Sequence, residues 1–469
     1  MDTLIAPYGG TLVNLIDPAR VDALKAEALG LPSIDLDWRA RCDLELLMVG
    51  AYSPLTGYLP RAEVEGVRNH QRLPDGGYWP LPLTLPTRQN LAFKPGDRVA
   101  LRDGEGYMLA VMSVSDVWQD DAGATRLGGP VEGVALPPHV DFAGERETPA
   151  ELRALFAKRG WRRVVAWQAR QAIHKPQYEF CLKTAIEREA NLLIHPQAGG
   201  DLSEAPGYFG LMRALVAVRE RFPAATTHFS LLPMAQRESQ GAALLLRAII
   251  ARNYGCDALI VGGEYEASGL RRRGVDATDA ARAAEIGVEL IAYPRLVYSE
   301  DRAEYLPEPE LDDSTRGLTL PGDELMRRLA RDLPVPEWAC FPEVVAELRR
   351  QYPPRSEQGF TVFFTGLSGA GKSTLARALA ARLMETGSRS VTLLDGDIVR
   401  RHLSSELGFS KAHRDINVRR IGYVASEITK NRGVAICAPI APYSVTRRDV
   451  RSMIEAVGGF IEVFVSTPI

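Results

Sequence analysis

The sequence predicts an α/β protein of several domains: a mostly β N-terminal domain, a Rossmann-like α/β domain and a C-terminal P-loop domain. Three observations support this fold class. The chain has 469 residues, of which 46% are hydrophobic, enough for two or three separate cores. From about residue 150 onward, strand-like apolar runs alternate with helix-like segments, which is typical of parallel sheets. A glycine-rich phosphate-loop pattern beginning at Gly366 lies between a strand-like run and a helix-like run.

Bulk composition excludes several functional classes. A net charge of −3 argues against nucleic-acid binding, and no apolar run is long enough to cross a membrane. The N-terminus lacks a basic segment followed by an apolar core, so we expect a cytoplasmic protein. The cysteines are far apart and include no C-x-x-C pair, which predicts buried free thiols and neither a zinc site nor a disulfide framework. They are Cys42, Cys181, Cys256, Cys340 and Cys437.

The first predicted domain covers residues 1–148 and is rich in proline and glycine. Within it, "DRVALRDGEGYMLAVMSV" (97–114) has two apolar runs separated by a turn signal, which predicts a pair of strands. The second predicted domain, 149–350, has helix-like "ELRALFAKRGW", "YEFCLKTAIEREA" and "GAALLLRAIIARNYG", and strand-like "RRVVAW", "NLLIHP" and "DALIVGG". Their alternation predicts right-handed crossovers around a parallel sheet.

A polar turn follows the strand "VVAW" in the second domain. It contains Gln168, Arg170, Gln171, His174 and Lys175. Polar residues at the end of a sheet strand commonly form an anion site. The alternative is a basic loop that only caps the strand.

The Pro-rich, polar segment "YPPRSEQG" (352–359) predicts a domain boundary, and a third domain over 358–469 begins with a strand at Phe360. The strand "FTVFFT" is followed by G-x-x-x-x-G-K-S and an Ala/Leu-rich helix, which is the context that a P-loop requires. Backbone N–H groups of the loop are expected to bind the ATP phosphates, Lys372 to reach the outer phosphates and Ser373 to ligate Mg²⁺. The predicted ATP-binding residues are Gly366, Leu367, Ser368, Gly369, Ala370, Gly371, Lys372, Ser373 and Thr374.

Two carboxylates follow the next predicted strand, "SVTLLDGD". Asp395 and Asp397 would face the phosphates at the carboxyl edge of the sheet, with Asp395 as a second metal ligand. Both could also cap the helix that begins there, and the two roles are compatible.

Arginines are concentrated after this strand, close to one aromatic residue, Phe409. This number of cations exceeds what ATP alone requires and predicts a second anionic ligand, held by guanidinium groups with a ring stacked on Phe409. A solvated basic helix face is the alternative. The arginines are Arg400, Arg401, Arg414, Arg419 and Arg420.

Residues 360–469 resemble adenosine 5′-phosphosulfate (APS) kinase. The motifs GLSGAGKSTLA, DGD-x-V-R, LGFS, R-x-x-N-x-RR and PIAPYSVTRRDVR occur in the family's order. The resemblance implies transfer of the γ-phosphoryl group of Mg·ATP to APS, with Lys372 and Asp397 catalytic and Asp397 acting as base or as a Mg²⁺-linked carboxylate. It also implies that APS is bound by Arg400, Phe409, Arg414, Asn417 and the backbone around Ile440.

This segment departs from the APS kinase pattern in two places. The family usually has S-x-I-S-P-Y, whereas residues 438–443 read A-P-I-A-P-Y and lack both hydroxyls. We expect this change to be tolerated, because phosphoryl transfer depends mainly on positioning and charge stabilisation. The family's K-G-L-Y lid and last strand would follow Ile469, so we expect either a further tail or a shortened chain.

Residues 1–345 resemble ATP sulfurylase. The words "AYSPLTGYL", "RNYGCDALIVGG", "YPRLVY" and "VPEWACFPEV" occur in the family's order. The polar turn then aligns with Q-x-R-N-P-x-H-x-x-H, which implies that Gln168 and Arg170 bind sulfate and that His174 is the first histidine. The resemblance also implies a homo-oligomer, either a hexamer or a dimer, assembled through this N-terminal region.

Several positions of the sulfurylase motifs are changed. Gln171, Ala172 and Gln177 replace Asn, Pro and the second His, and Gly263-Glu264-Tyr265 replaces the R-D-H of V-G-R-D-H-A-G. Losing one group that stabilises the transition state typically costs about 3–4 kcal/mol, so we expect Gln168, Arg170 and His174 to be the remnant of an inactive site. The alternatives are a bifunctional sulfate-activating enzyme and a non-catalytic nucleotide-binding module.

Overall fold

A computed structural model describes residues 3–87, 93–199, 207–235, 240–262, 275–311 and 316–466. The chain divides into two compact units, one of Met1–Met326 with Val335–Gln351 and one of Arg327–Pro334 with Tyr352–Ile469. Parallel sheets flanked by helices occur in both units, which confirms the predicted α/β multidomain class. The limits of three domains at 148, 350 and 358 stay a prediction.

The first unit begins with a mixed sheet, in the order β1-β4-β5-β7-β2, with β3 and β6 also paired to β7. Antiparallel pairing of β4 with β5 confirms the strand pair predicted in residues 97–114. The strands are β1 (Ser33–Asp35), β2 (Gly57–Tyr58), β3 (Leu85–Thr87), β4 (Arg98–Arg102), β5 (Met108–Ser113), β6 (Asp116–Gln119) and β7 (Thr125–Gly133). The helices are α1 (Val21–Ala28), α2 (Trp38–Met48) and α3 (Arg61–His70), followed by a 3-10 turn at Ala143–Glu145.

A parallel sheet in the order β10-β9-β8-β11-β12 follows in the same unit. Its first helix starts with a capping box, because Thr148 accepts from the Glu151 N–H and the Glu151 carboxylate accepts from the Thr148 N–H. The elements are α4 (Pro149–Lys158), β8 (Val164–Trp167), α5 (Lys175–Glu187), β9 (Asn191–Ile194), α6 (Tyr208–Arg219), β10 (Thr227–Phe229), α7 (Gln240–Asn253), β11 (Ala258–Val261), α8 (Ala277–Ile286) and β12 (Glu289–Ala292).

A small antiparallel sheet in the order β14-β13-β15 comes next in the chain. Its strands are β13 (Leu296–Ser299), β14 (Glu304–Pro307) and β15 (Gly317–Leu318), with a 3-10 turn at Glu308–Glu310. Two helices follow, α9 (Gly322–Ala330) and α10 (Pro342–Gln351).

The second unit is built on a parallel sheet in the order β17-β18-β16-β19. Because the strands are parallel, the loops that leave their carboxyl ends lie at one edge, where α/β proteins bind ligands. The strands are β16 (Phe360–Thr365), β17 (Val391–Asp395), β18 (Val434–Ala438) and β19 (Gly459–Phe464). The helices are α11 (Lys372–Thr386), α12 (Gly396–Leu403), α13 (Lys411–Lys430) and α14 (Ser444–Glu455).

The core of the second unit lies between this sheet and the helices that cover it. Phe363, Ile421 and Ile454 are fully buried in it. All five cysteines of the chain are buried free thiols, as predicted. Within the described ranges, no helix is both long and apolar enough to cross a membrane.

Candidate active site

The phosphate loop joins β16 to α11 and contains three glycines with positive φ angles. Gly366, Gly369 and Gly371 have φ of 139°, 80° and 91°, a region that side chains disfavour. At Gly366 a Cβ would lie 2.4 Å from the Val465 carbonyl oxygen, so the close approach of β16 to the end of β19 also requires glycine. The loop therefore has the backbone shape that lets N–H groups converge on an anion.

Lys372 is the first residue of α11 and is only 6% exposed. Its Nζ donates a hydrogen bond to the Leu367 carbonyl oxygen at 2.7 Å, across the phosphate loop. Partial burial lowers the pKa of Lys372 below its usual value. The ammonium group is thus held above the loop, beside the position that a bound phosphate chain would occupy.

Asp395 ends β17 and is 4% exposed. Arg377 of α11 approaches its carboxylate to 3.9 Å. Asp397 belongs to α12, but its side chain lies outside the described part of the structure, and its predicted role stays a prediction. Among the described side chains there is no cluster of three or more His, Cys, Asp or Glu residues that could hold a metal ion.

One cavity of about 420 Å³ joins the phosphate loop to the arginine-rich segment. It brings together Asp395, most of the predicted ATP-binding residues and every predicted APS-binding residue. Gly366, Leu367 and Ala370 do not line it. The lining residues are Ser368, Gly369, Gly371, Lys372, Ser373, Thr374, Asp395, Gly396, Arg400, Phe409, Arg414, Asn417, Ala438, Pro439 and Ile440.

The Phe409 ring lines this cavity and is 73% exposed. The Arg400 guanidinium carbon lies 4.6 Å from the ring centroid, and Arg400 donates to the Leu407 and Gly408 carbonyls at 2.9 and 3.0 Å. Arg414 donates to the Phe409 carbonyl at 3.0 Å. Both arginines therefore hold the Phe409 loop in place as well as lining the cavity.

Asn417 lies on α13 and is 6% exposed. Its Oδ1 is buried and accepts no hydrogen bond from the described residues. A buried acceptor without a donor is costly, so its position in the cavity wall indicates that a ligand or water supplies the donor.

The other arginines of this segment do not line the cavity. Arg419 pairs with Asp449 at 2.8 Å, and Arg420 pairs with Glu406 at 2.6 Å. Arg401 is exposed to solvent. These three arginines face ion-pair partners or solvent and not the cavity, and for them the expectation of anion binding stays a prediction.

Comparison with known proteins identifies both halves of the chain. Residues 358–469 match the family model for adenylylsulphate kinase, residues 144–351 that for ATP-sulfurylase and residues 5–126 that for a PUA-like domain. Sulfate adenylyltransferase of Emericella nidulans is 39% identical over 99% of this chain and 88% of its own length, and that of Phaeosphaeria nodorum is equally similar. The chain belongs to the family of fused ATP-sulfurylase and adenylylsulphate kinase proteins. A solved structure described as hexameric APS kinase from Thiobacillus denitrificans is 65% identical, covers 99% of this chain and 93% of its own, and has a TM-score of 0.92.

The sulfurylase region contains the polar turn after β8. Gln168 is fully buried, and its Oε1 accepts from Arg247 Nε at 2.8 Å. Burial lowers the pKa of Arg170. The turn ends one residue earlier than predicted, because Lys175 is already the first residue of α5.

His174, the third residue of the predicted remnant site, is buried at the start of α5. Its Nδ1 lies 3.0 Å from the Cys340 sulfur, and burial lowers its pKa to about 4. Gln177 accepts from the His174 backbone N–H at 3.2 Å, so the glutamine found in place of the second histidine caps the helix. The segment Gly263-Glu264-Tyr265 lies outside the described residues.

Some cavity residues were not predicted as site residues. Three of them line the cavity because of where β17 and β18 end: Gly396 directly follows β17, Ala438 is the last residue of β18, and Pro439 follows it. The parallel-sheet rule could have identified these positions once the strands had been predicted.

Proposed function

We propose that residues 358–469 transfer the γ-phosphoryl group of ATP to the 3′-hydroxyl of APS, forming 3′-phosphoadenylyl sulfate. The observation that carries this proposal is the single cavity that joins the phosphate loop, Asp395 and the wall formed by Arg400, Phe409 and Asn417. An ATP-binding loop alone fits many phosphotransferases. The additional cationic and aromatic wall fits an acceptor that has both a ring and an anionic group.

In this proposal, backbone N–H groups of the phosphate loop and Lys372 bind the ATP phosphates. Phe409 stacks on the APS adenine, Arg400 and Arg414 face its anionic groups, and Asn417 Oδ1 accepts a hydrogen bond from it. Asp397 is assigned as base or metal-linked carboxylate on family resemblance. Since phosphoryl transfer depends on positioning and charge neutralisation, these residues suffice without a covalent intermediate.

The cofactor is Mg²⁺ carried with ATP. Mg²⁺ keeps several waters and binds through one or two protein oxygens plus substrate phosphates, so it does not need a cluster of protein ligands. The Ser373 hydroxyl and the Asp395 carboxylate fit this donor set, because both line the cavity beside the phosphate loop. When bound, the ion neutralises charge on the phosphate oxygens.

The Lys372→Ala variant tests the kinase assignment. We expect the rate of APS-dependent ADP release to fall about 10²–10³-fold, the typical cost of removing one group that stabilises the transition state. Arg382→Ala is the matched control, since it removes a positive charge from the exposed side of the same helix. Full turnover by a correctly folded Lys372→Ala protein would refute the assignment.

A second candidate function is adenylyl transfer from ATP to sulfate by residues 144–351. The fungal relatives are named sulfate adenylyltransferases and are 39% identical along nearly the whole chain, which favours the bifunctional alternative over the inactive region expected from sequence. The opposing argument is local: a His174 ring that is neutral at pH 7 cannot supply positive charge to a triphosphate.

The chain is also proposed to form a homo-oligomer. The solved relative at 65% identity is described as hexameric, and its fold covers nearly all of this chain. Sedimentation velocity of the full chain is the measurement, and six protomers is the expected result. A monomer at micromolar concentration would contradict the proposal.

A further inference from the structure

The carbonyl oxygen of Ala441 is held by two donors from different elements. Thr365 Oγ1, at the end of β16, donates at 3.0 Å, and Arg447 Nη1, on α14, donates at 2.9 Å. Thr365 and Ala441 are 3% and 2% exposed. Ala441 directly follows Ile440 of the cavity wall, and Thr365 directly precedes Gly366 of the phosphate loop. This carbonyl therefore links the two sides of the cavity.

Arg447 is itself fixed by the sheet. Its Nε donates to Glu462 Oε1 at 2.7 Å, and both side chains are about one-fifth to one-quarter exposed. Glu462 lies on β19, which pairs with β16 over its whole length. The guanidinium is thus a rigid bridge from β19 to the loop between β18 and α14.

The loop between β18 and α14, residues 439–443, has few hydrogen-bonding groups of its own near Ala441. Pro439 and Pro442 have no backbone N–H to donate, and Ile440 and Ala441 carry no side-chain hydroxyl. A hydrogen bond from a charged guanidinium is stronger than one between neutral groups. The loop is therefore anchored by hydrogen bonds from two residues outside it, Arg447 and Thr365.

We propose that Arg447 and Thr365 are positioning residues that hold the Ile440 wall at a fixed distance from the phosphate loop, with Glu462 orienting Arg447. The inference rests on the proposed kinase function and adds residues that touch neither substrate. Transfer between two bound substrates is sensitive to their spacing, and a misplacement of about 1 Å can cost about 10²-fold in rate.

The Arg447→Gln variant tests this role through a split between kinetic constants. We expect kcat to fall about 10- to 100-fold while the KM for ATP changes less than about twofold, because the phosphate loop keeps its own contacts. Arg447→Lys keeps a donor and should recover part of the loss. Arg448→Gln, on the exposed side of the same helix, is the matched control and should leave kcat unchanged.

A double-mutant cycle with Thr365→Val tests whether the two donors act as a unit. Because both hold one carbonyl, the loss of kcat in the double variant should be smaller than the product of the two single losses.

If Arg447→Gln melts below the assay temperature, Glu462→Gln removes the charge that orients Arg447 and should show the same split between kcat and the KM for ATP. Losses that multiply, or an unchanged kcat in folded variants, would overturn the inference. Absence of APS-dependent turnover in the unmodified protein would instead overturn the proposed kinase function.

Discussion

At the scale of single residues, the wall of the cavity in the second unit contains an exposed aromatic ring and a buried amide oxygen. The Phe409 ring is 73% exposed although a buried aromatic ring contributes strongly to stability, and the Asn417 amide oxygen is buried with no donor among the described residues. Phe409 was predicted as the one aromatic residue near the concentrated arginines, and Asn417 was implied by the resemblance to APS kinase. The anchors Thr365 and Arg447 could not be predicted, since hydrogen bonds from side chains to one backbone carbonyl, 76 residues from Thr365 and 6 residues from Arg447, leave no sequence pattern.

Replacing Phe409 by Ala tests whether its ring recognises APS. Base stacking is worth about 1–3 kcal/mol, so the KM for APS should rise about 5- to 150-fold while the KM for ATP changes little. Phe464→Ala is the control, because that ring is 70% exposed in the same unit but does not line the cavity. The measurement is initial rate against each substrate in turn. An equal rise in both KM values would mean that Phe409 supports the fold and not APS binding.

At the scale of elements, local pattern was sufficient for the helices and strands named in the sequence analysis, and tertiary context decided their ends. "NLLIHP" was expected to be a strand throughout, but β9 stops at Ile194, before the proline. Likewise, α5 starts at Lys175, because Gln177 caps the helix through the His174 N–H. The hydrophobic period, 2 residues in a strand and 3.6 in a helix, carries no information about such caps.

The phosphate loop gives a stability prediction at this scale, from two of its glycines. Gly366→Ala would place a methyl group 2.4 Å from the Val465 carbonyl, whereas Gly369→Ala meets no atom within 4 Å. Gly369→Ala should therefore cost only the backbone penalty for positive φ, about 1–2 kcal/mol. Gly366→Ala should cost more and separate the ends of β16 and β19. Thermal unfolding of both variants is the measurement, and an equal or smaller shift for Gly366→Ala would contradict the close packing.

At the scale of the whole molecule, the chain combines two nucleotide-using families, and the second would consume the product of the first. The order of the two families was predictable from the resemblance of short motifs, and the phosphate loop among them is a strand–loop–helix segment that sequence specifies locally. The activity of the first region was not predictable in the same way. We expect it to depend on summed charge around a triphosphate, and the changed motif segment Gly263-Glu264-Tyr265 lies outside the described residues.

Sulfate-dependent release of pyrophosphate from Mg·ATP decides between a bifunctional protein and a single kinase. The measurement is made on the Lys372→Ala protein, so that the P-loop site does not consume ATP. Sequence identity of 39% to a sulfate adenylyltransferase predicts pyrophosphate release within the usual enzymatic range of roughly 1–10³ per second. The neutral, buried His174 and the changed motif predict background release instead. Gln168→Ala is the control, because it removes the amide oxygen that accepts from Arg247 Nε. Added to Lys372→Ala it should abolish any true sulfurylase turnover, and made alone it should leave APS kinase activity intact. Release that survives Gln168→Ala would contradict the expected role of Gln168 in sulfate binding.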